Sequence, residues 1–273
     1  MSDDSHPELV LDRATLPQVR AAFLADVMRS STSVREPELV GNLRIHRPAS
    51  GEVRGRLLAI HGGGYVLGAA AMQDRLCEHW ADTQGWLAAS VEYPLAPEAS
   101  ATAMLDACEG GLEELRALDP TGPLVVFGDS AGGGLAAGLA VRGCETDALM
   151  LVQPMLDPRT CGERDPGHSW HADHNRFGWA ARLGEEEPTP EVAPALAEDV
   201  GHFPPTWIGI GTRDLFLREN FAFAAKLAEA HVDVALQTYN GAVHAFQRLH
   251  ADRPAAARWR RDRDGWLRER LEP

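Results

Sequence analysis

Short apolar runs closed by Gly, Pro or Asp alternate along most of this chain with stretches whose apolar residues recur at helical spacing. Leu57 to Ile60, Leu87 to Val91, Leu124 to Phe127, Ala148 to Val152, Trp207 to Ile210 and Val234 to Leu236 read as strands buried on both faces. Between them, Leu105, Cys108, Leu112 and Leu115 mark one face of a helix from Ala101 to Leu118, and Phe221 to Ala230 behaves similarly. Strands alternating with helices predict an α/β fold with a mostly parallel sheet covered on both sides.

Two stretches break the alternation. Thr15 and Gln18 have capping-box spacing around Pro17, and Leu16, Val19, Phe23 and Val27 form an apolar stripe, which predicts an amphipathic helix. The segment from Asp157 to His202, about 45 residues, is rich in Pro, His, Glu and Gly without a strand pattern. It reads as an insertion packed over the sheet edge, and together with the N-terminal segment 1–36 it would form a small helical cap. The catalytic domain is then 37–156 and 203–273. The last helix, Ala255 to Leu271, interleaves acids with its arginines, and Trp259 and Trp266 lie seven residues apart. That spacing predicts a core stripe with an ion-paired outer face.

Length and charge narrow the classes. At 273 residues the chain can bury roughly three quarters of its unfolded surface. With 40 acids against 26 Lys and Arg, its net charge of −14 repels phosphates, so nucleic acid is not an expected partner. The acidic start MSDDSHPELVLD lacks the basic region of a secretory signal, and no apolar run reaches the roughly 18 residues of a membrane span, so a cytoplasmic protein is expected. Cys77, Cys108, Cys144 and Cys161 form no CxxC pair and read as reduced packing residues.

The chemistry concentrates in four loops. The strand ending at Phe127 runs directly into Gly128-Asp129-Ser130-Ala131-Gly132-Gly133 and then into helix-forming residues, which is G-x-S-x-G between a strand and a helix. Such a turn pushes Ser130 out at the carboxyl end of the sheet, with a helix N-terminus aimed at the site. Gly-rich turns also end strands for purely structural reasons, so the pentapeptide needs support. His61-Gly62-Gly63-Gly64 follows another strand, and its glycines let backbone N–H groups approach a ligand as half of an oxyanion hole. A serine hydroxyl needs a base and an acid to orient that base. Asp214, in Gly-Thr-Arg-Asp after the strand at 207–210, and His244, in Gly-Ala-Val-His after the strand at 234–236, follow Ser130 in the required order.

Other histidines compete among the eleven present. His168, His171 and His174, with Asp173, have three-residue spacing that suggests metal ligands, but steps of three drift around a helix, so a polar surface is expected and no metal or cofactor is assigned. His79 and His231 fall within helical patterns, and His202 and His250 have no partner motif.

HGGGYVLG at 61–68, EYPLAPE at 92–98, GDSAGGGLA at 128–136, GTRDLFLREN at 211–220 and GAVHAF at 241–246 resemble the hormone-sensitive-lipase-like (family IV) bacterial esterases and lipases of the α/β-hydrolase fold. The resemblance runs from about Arg44 to the C-terminus. It implies a carboxylic ester hydrolase acting on small-molecule esters, with Ser130 as nucleophile, His244 as base and Asp214 as orienting acid. It also implies oxyanion N–H groups from Gly63, Gly64 and Ala131, a cap built from N-terminal helices and an insertion, and a homodimer through the strand near Val234. Two departures stand out: Pro94 where the family carries Arg, and Ala101-Thr102-Ala103-Met104 where it carries Pro-Ala-Ala. Both flank the loop that holds Glu98. The same three residues could cleave amides, as in arylformamidases or acylaminoacyl peptidases, and the fold also serves as a small-molecule receptor where the histidine is lost.

Overall fold

The computed structural model describes residues 10–30, 35–49, 51–160 and 169–271. Cys161 and His168, and with His168 the full three-histidine spacing, lie outside the described residues. The element order is α1 (Leu16–Ser30), β1 (Glu38–Val40), β2 (Leu43–His46), β3 (Gly55–Ile60), α2 (Asp74–Gln84), β4 (Trp86–Val91), α3 (Ala101–Leu118), β5 (Leu124–Asp129), α4 (Ala131–Val141), β6 (Ala148–Val152), α5 (Ala172–Leu183), β7 (Thr206–Gly211), α6 (Leu217–Glu229), β8 (Val234–Tyr239), α7 (Phe246–Leu249) and α8 (Pro254–Leu271). One sheet of eight strands runs in the order β1-β2-β4-β3-β5-β6-β7-β8, with helices on both faces.

All six expected strands form, each extended by one to three residues except Ala148–Val152, whose bounds coincide. Burial on both faces explains why five of them were legible; β8, expected to be buried on both faces, is an edge strand and is only half-buried from Val234 to Thr238. Every residue of β3, β4, β6 and β7 is buried, so the strands read as continuous apolar runs. Alternation then divides the core. Leu58, Ile60, Val126, Leu149, Leu151 and Ile208 face one helical layer, whereas Leu57, Ala59, Val125, Phe127, Met150 and Trp207 face the other, which includes Trp259 and Trp266 of α8.

The antiparallel pair β1 and β2 has no counterpart in the expected strands. Only three and four residues long, with β1 exposed or half-buried throughout, it offers too little alternation to detect. Val40 pairs with Leu43 across the two-residue turn Gly41-Asn42, the one local signal of a hairpin.

Other details differ from expectation. At α1 the reciprocal capping bonds join Asp12 and Thr15, with Asp12 N–H donating to Thr15 Oγ1 (3.1 Å) and Thr15 N–H to Asp12 Oδ1 (2.8 Å). Asp12 therefore starts the first turn, because a carboxylate accepts at an N-terminus better than a hydroxyl. His231 lies beyond the end of α6 with φ +60°, not inside a helix. The 157–202 insertion carries no strand among its described residues, but it sits over the carboxyl ends of the central strands instead of beside an edge strand. Gly178 of α5 packs so close to the Gly64 carbonyl that a Cβ would lie 2.6 Å from its oxygen.

Sheet order positions the site. The chain leaves β3 toward β4 on one side and returns to β5 on the other, so the carboxyl ends of β3 and β5 flank the point where the winding reverses, where open α/β sheets leave a crevice. The loops at His61 and Ser130 both begin there.

Candidate active site

Ser130 occupies the turn between β5 and α4 with φ +54° and ψ −116°, a conformation that costs a non-glycine residue about 1–3 kcal/mol. The surroundings hold it. Its N–H donates to Val152 O (2.8 Å), and its carbonyl accepts from Gly134 N (3.1 Å) and Met155 N (3.0 Å). The glycines beside it are a packing requirement, since a Cβ at Gly128 would collide with the Gly132 carbonyl and one at Gly132 with the carbonyls of Ile60 and His61. α4 is thereby pressed against the end of β3.

The structure brings Ser130, His244 and Asp214 together. His244 Nε2 is 2.9 Å from Ser130 Oγ, and His244 Nδ1 is 2.9 Å from Asp214 Oδ2. An ionised carboxylate only accepts, so Nδ1 carries the proton and Nε2 is left to accept from the serine hydroxyl. Asp214 is fully buried, Ser130 5% exposed and His244 6% exposed. Burial disfavours the His244 imidazolium, but the charge and hydrogen bond of Asp214, with Asp129 beyond, prevail, and its pKa stands above that of a free histidine.

The loop after β3 closes the other side. Gly63 and Gly64 have φ of +124° and +59°, and the Gly63 carbonyl turns away to accept from Val66 N (3.1 Å) and Leu67 N (2.8 Å). Among the described residues the N–H groups of Gly63, Gly64 and Ala131 have no acceptor. A Cβ at Gly62 would sit 3.1 Å from Ser130 Cβ, so this loop lies directly against the serine. His61 is buried, stacks on Tyr93 (4.2 Å) and is pushed down to about 4 by desolvation, which keeps it neutral with its Nδ1–H on Gly62 O (2.8 Å).

Several neighbours had no role assigned from the motifs. Phe216 meets the His244 ring edge-on at 5.1 Å, and Ser169 Oγ donates to His244 O (2.8 Å). Gln153, with φ +49°, accepts from Ala245 N (2.6 Å), while Gln247 donates to both oxygens of Asp129 (3.2 Å each) and accepts from Gln153 (3.3 Å). Gln247 lies three residues beyond His244 in sequence, so proximity to the motif was its one clue. Trp170 stands so close to Gly64 that any Cβ there would collide with its ring. Beneath the insertion, buried Glu219 accepts from Leu156 N (2.7 Å) and from Thr160 Oγ1, and burial pushes its carboxyl up to about 8.

The remaining sequence candidates lie apart. The His171 and His174 rings are 5.3 Å from each other at the start of α5, and among the described residues no group of three or more His, Cys, Asp or Glu is arranged to hold a metal. His79 lies near Asp264 (3.8 Å), and His202 bonds Ala140 O (2.9 Å). Glu98 is tied to Arg20 of α1 by two bonds of 2.8 Å. No helix of the described residues is long and apolar enough to cross a membrane.

A family profile described as alpha/beta hydrolase fold matches residues 57–248. The chain is 31% identical over 242 residues to the esterase LipU of Mycobacterium tuberculosis, covering 81% of this chain and 80% of that protein. It is 28% identical over 227 residues to an ethyl acetate hydrolase of Pseudomonas putida, covering 76% and 71%. Among solved structures, a bacterial heroin esterase superimposes with a TM-score of 0.87 at 28% identity, covering 95% of this chain and 93% of that one.

Proposed function

The chain belongs to the α/β-hydrolase family, among its hormone-sensitive-lipase-like carboxylic ester hydrolases, and from that premise we propose that Ser130, His244 and Asp214 hydrolyse small esters through an acyl-enzyme. The observation that carries this reading is the continuous hydrogen-bonded line from Ser130 Oγ through His244 to Asp214, two contacts of 2.9 Å each.

In this mechanism His244 Nε2 takes the Ser130 proton as Oγ attacks the ester carbonyl carbon. The carbonyl π electrons move onto oxygen, and the N–H groups of Gly63, Gly64 and Ala131 stabilise the resulting charge, each donor being worth roughly 3 kcal/mol of barrier. The protonated imidazole then delivers its proton to the departing alkoxide. A water, deprotonated by the same Nε2, attacks the acyl carbon and releases the carboxylic acid with Ser130 restored. Asp214 keeps the Nδ1–H tautomer and stabilises the imidazolium.

Short acyl chains are the proposed substrates, in keeping with the brief cap and with the ethyl acetate hydrolase among the relatives. A second copy pairing along the open edge of β8 and a cytoplasmic location complete the proposal. A fluorophosphonate should label Ser130, and Ser130→Ala should lower short-chain p-nitrophenyl ester turnover by a factor on the order of 10⁴ to 10⁶ with the fold intact. Activity retained in that variant would overturn the assignment. Matched esters and amides assayed side by side separate esterase from amidase, and a serine that stays unlabelled would mark a receptor.

A further inference from the structure

Arg182, in the last turn of α5, is 2% exposed, and its Nε, Nη1 and Nη2 have no hydrogen-bond partner among the described residues. Its guanidinium lies 3.8 Å over the ring of Tyr65 and 5.5 Å from that of Trp179. A buried guanidinium is desolvated, which pulls its pKa down, yet arginine in proteins keeps its proton, so the charge stays in the interior. The ionisable groups that act on it most strongly are Tyr65, Tyr93 and Cys108, none of them a carboxylate. The faces of two aromatic rings are its compensation.

Tyr65 is the residue after Gly64. Its φ is +68°, its hydroxyl donates to Met155 O (2.9 Å), and its carbonyl accepts from Ala96 N (2.9 Å). A Cβ at Gly134 of α4 would collide with that hydroxyl, so the ring also packs against the helix that begins beside Ser130. Three residues of the α5 face rest on this one stretch: Gly178 on the Gly64 carbonyl, Trp179 on Tyr65 at 5.3 Å, and Arg182 over the same ring at 3.8 Å.

We propose that Arg182 is a positioning residue that, by stacking its buried cation on Tyr65, fixes the peptide N–H groups of Gly63 and Gly64 where the oxyanion forms. This rests on the esterase reading above. The physical reason is an asymmetry. An unpaired buried charge lowers stability, and an apolar side chain of equal length in its place is commonly neutral or stabilising. A residue kept for packing alone would not carry that charge, whereas one kept to hold a ring in a left-handed turn gains an attraction that Met lacks.

The test compares Arg182→Met and Arg182→Lys with the wild type on a matched pair of substrates, an ordinary ester and its thionoester, whose sulfur is a weak hydrogen-bond acceptor. For Arg182→Met we expect kcat on the ordinary ester to fall about 10- to 100-fold with KM changed by less than about threefold, since a misaligned donor costs transition-state and not ground-state binding. The thionoester rate should fall by less than about threefold, because little oxyanion stabilisation is available to lose. The melting temperature should equal or exceed that of the wild type, and Arg182→Lys, which keeps a cation over the ring, should recover part of kcat. Wild-type kcat in Arg182→Met, equal losses on both substrates, or a variant that melts well below the wild type would each overturn the proposal. Ester hydrolysis in the wild type that survives Ser130→Ala would instead overturn the reading on which it rests.

Discussion

Asp214 divides its carboxylate between two partners: Oδ1 accepts from the N–H of Phe216 (2.9 Å) and Oδ2 from Nδ1 of His244 (2.9 Å). The backbone bond fixes the carboxylate two residues away, so its orientation toward the imidazole is set by the loop itself and not by a mobile side chain. Asp214→Asn keeps the shape but can present an N–H to Nδ1 and so favour the wrong tautomer. In the proposed mechanism kcat should fall by a factor on the order of 10⁴ with the melting temperature little changed.

The same pair sets the pH profile. The base must be neutral, and its pKa is raised above 6.5, so kcat/KM of the wild type should fall on the acid side with an apparent pKa above that value. Burial lowers the imidazole pKa and Asp214 raises it; removing Asp214 leaves burial in command. The residual activity of Asp214→Asn should therefore show its acid limb displaced to lower pH.

Glu219 makes the opposite kind of prediction, one of stability. Its carboxyl is raised from 4.5 to about 8, so between these values the native state holds a proton that the unfolded chain has released. Stability is then fully present below about pH 4.5 and falls as pH rises through about 8, each unit being worth about 1.4 kcal/mol. Glu219→Gln keeps an acceptor for Leu156 N–H and a group that can meet Thr160 Oγ1, and it does not titrate. Urea midpoints should show the variant more stable than the wild type at pH 8.5, with the advantage shrinking toward pH 5.

Two glycines should respond in opposite directions to alanine. A Cβ at Gly132 would collide with the backbone carbonyls of Ile60 and His61, which cannot rotate aside, whereas Gly110 in α3 has nothing within 4 Å of the same atom. Gly132→Ala should cost about 1–3 kcal/mol and, by displacing α4 from β3, lower kcat as well. Gly110→Ala should stabilise by roughly 0.5–1 kcal/mol without affecting kcat.

The departures near Glu98 can be tested through α1. Arg20 bonds Val66 O (2.8 Å) and Ala96 O (2.6 Å) besides Glu98, so it ties the arm to the loop beyond Gly64. Glu98→Ala loses one exposed ion pair and should change stability by less than about 0.5 kcal/mol. Arg20→Ala also leaves two carbonyls unmatched. Hydrogen exchange in 16–30 should accelerate more in Arg20→Ala than in Glu98→Ala, with KM rising in the first.

Much of the architecture was legible because a doubly covered sheet writes itself as runs of apolar residues, and the loops that follow those runs hold the reactive residue types. The α3 bounds coincide with the pattern from Ala101 to Leu118 because Ser100 caps the helix, accepting from Ala103 N (3.1 Å), and every buried position follows helical spacing. β1 escaped notice because its three residues, two of them exposed, carry no such contrast, and the Asp12 cap escaped because Thr15, one turn later, is also a capping residue type.

By itself, then, the sequence determined the six parallel strands, the order of Ser130, Asp214 and His244, and the family. Those depend on local periodicity and on residue types at fixed offsets. Only the tertiary structure decided that the insertion covers the Gly64 loop, that Trp170 stands against Gly64, and that a buried cation at Arg182 lies over Tyr65. Those contacts join segments about a hundred residues apart, where the partner is chosen by packing volume and desolvation, and neither leaves a periodic trace along the chain.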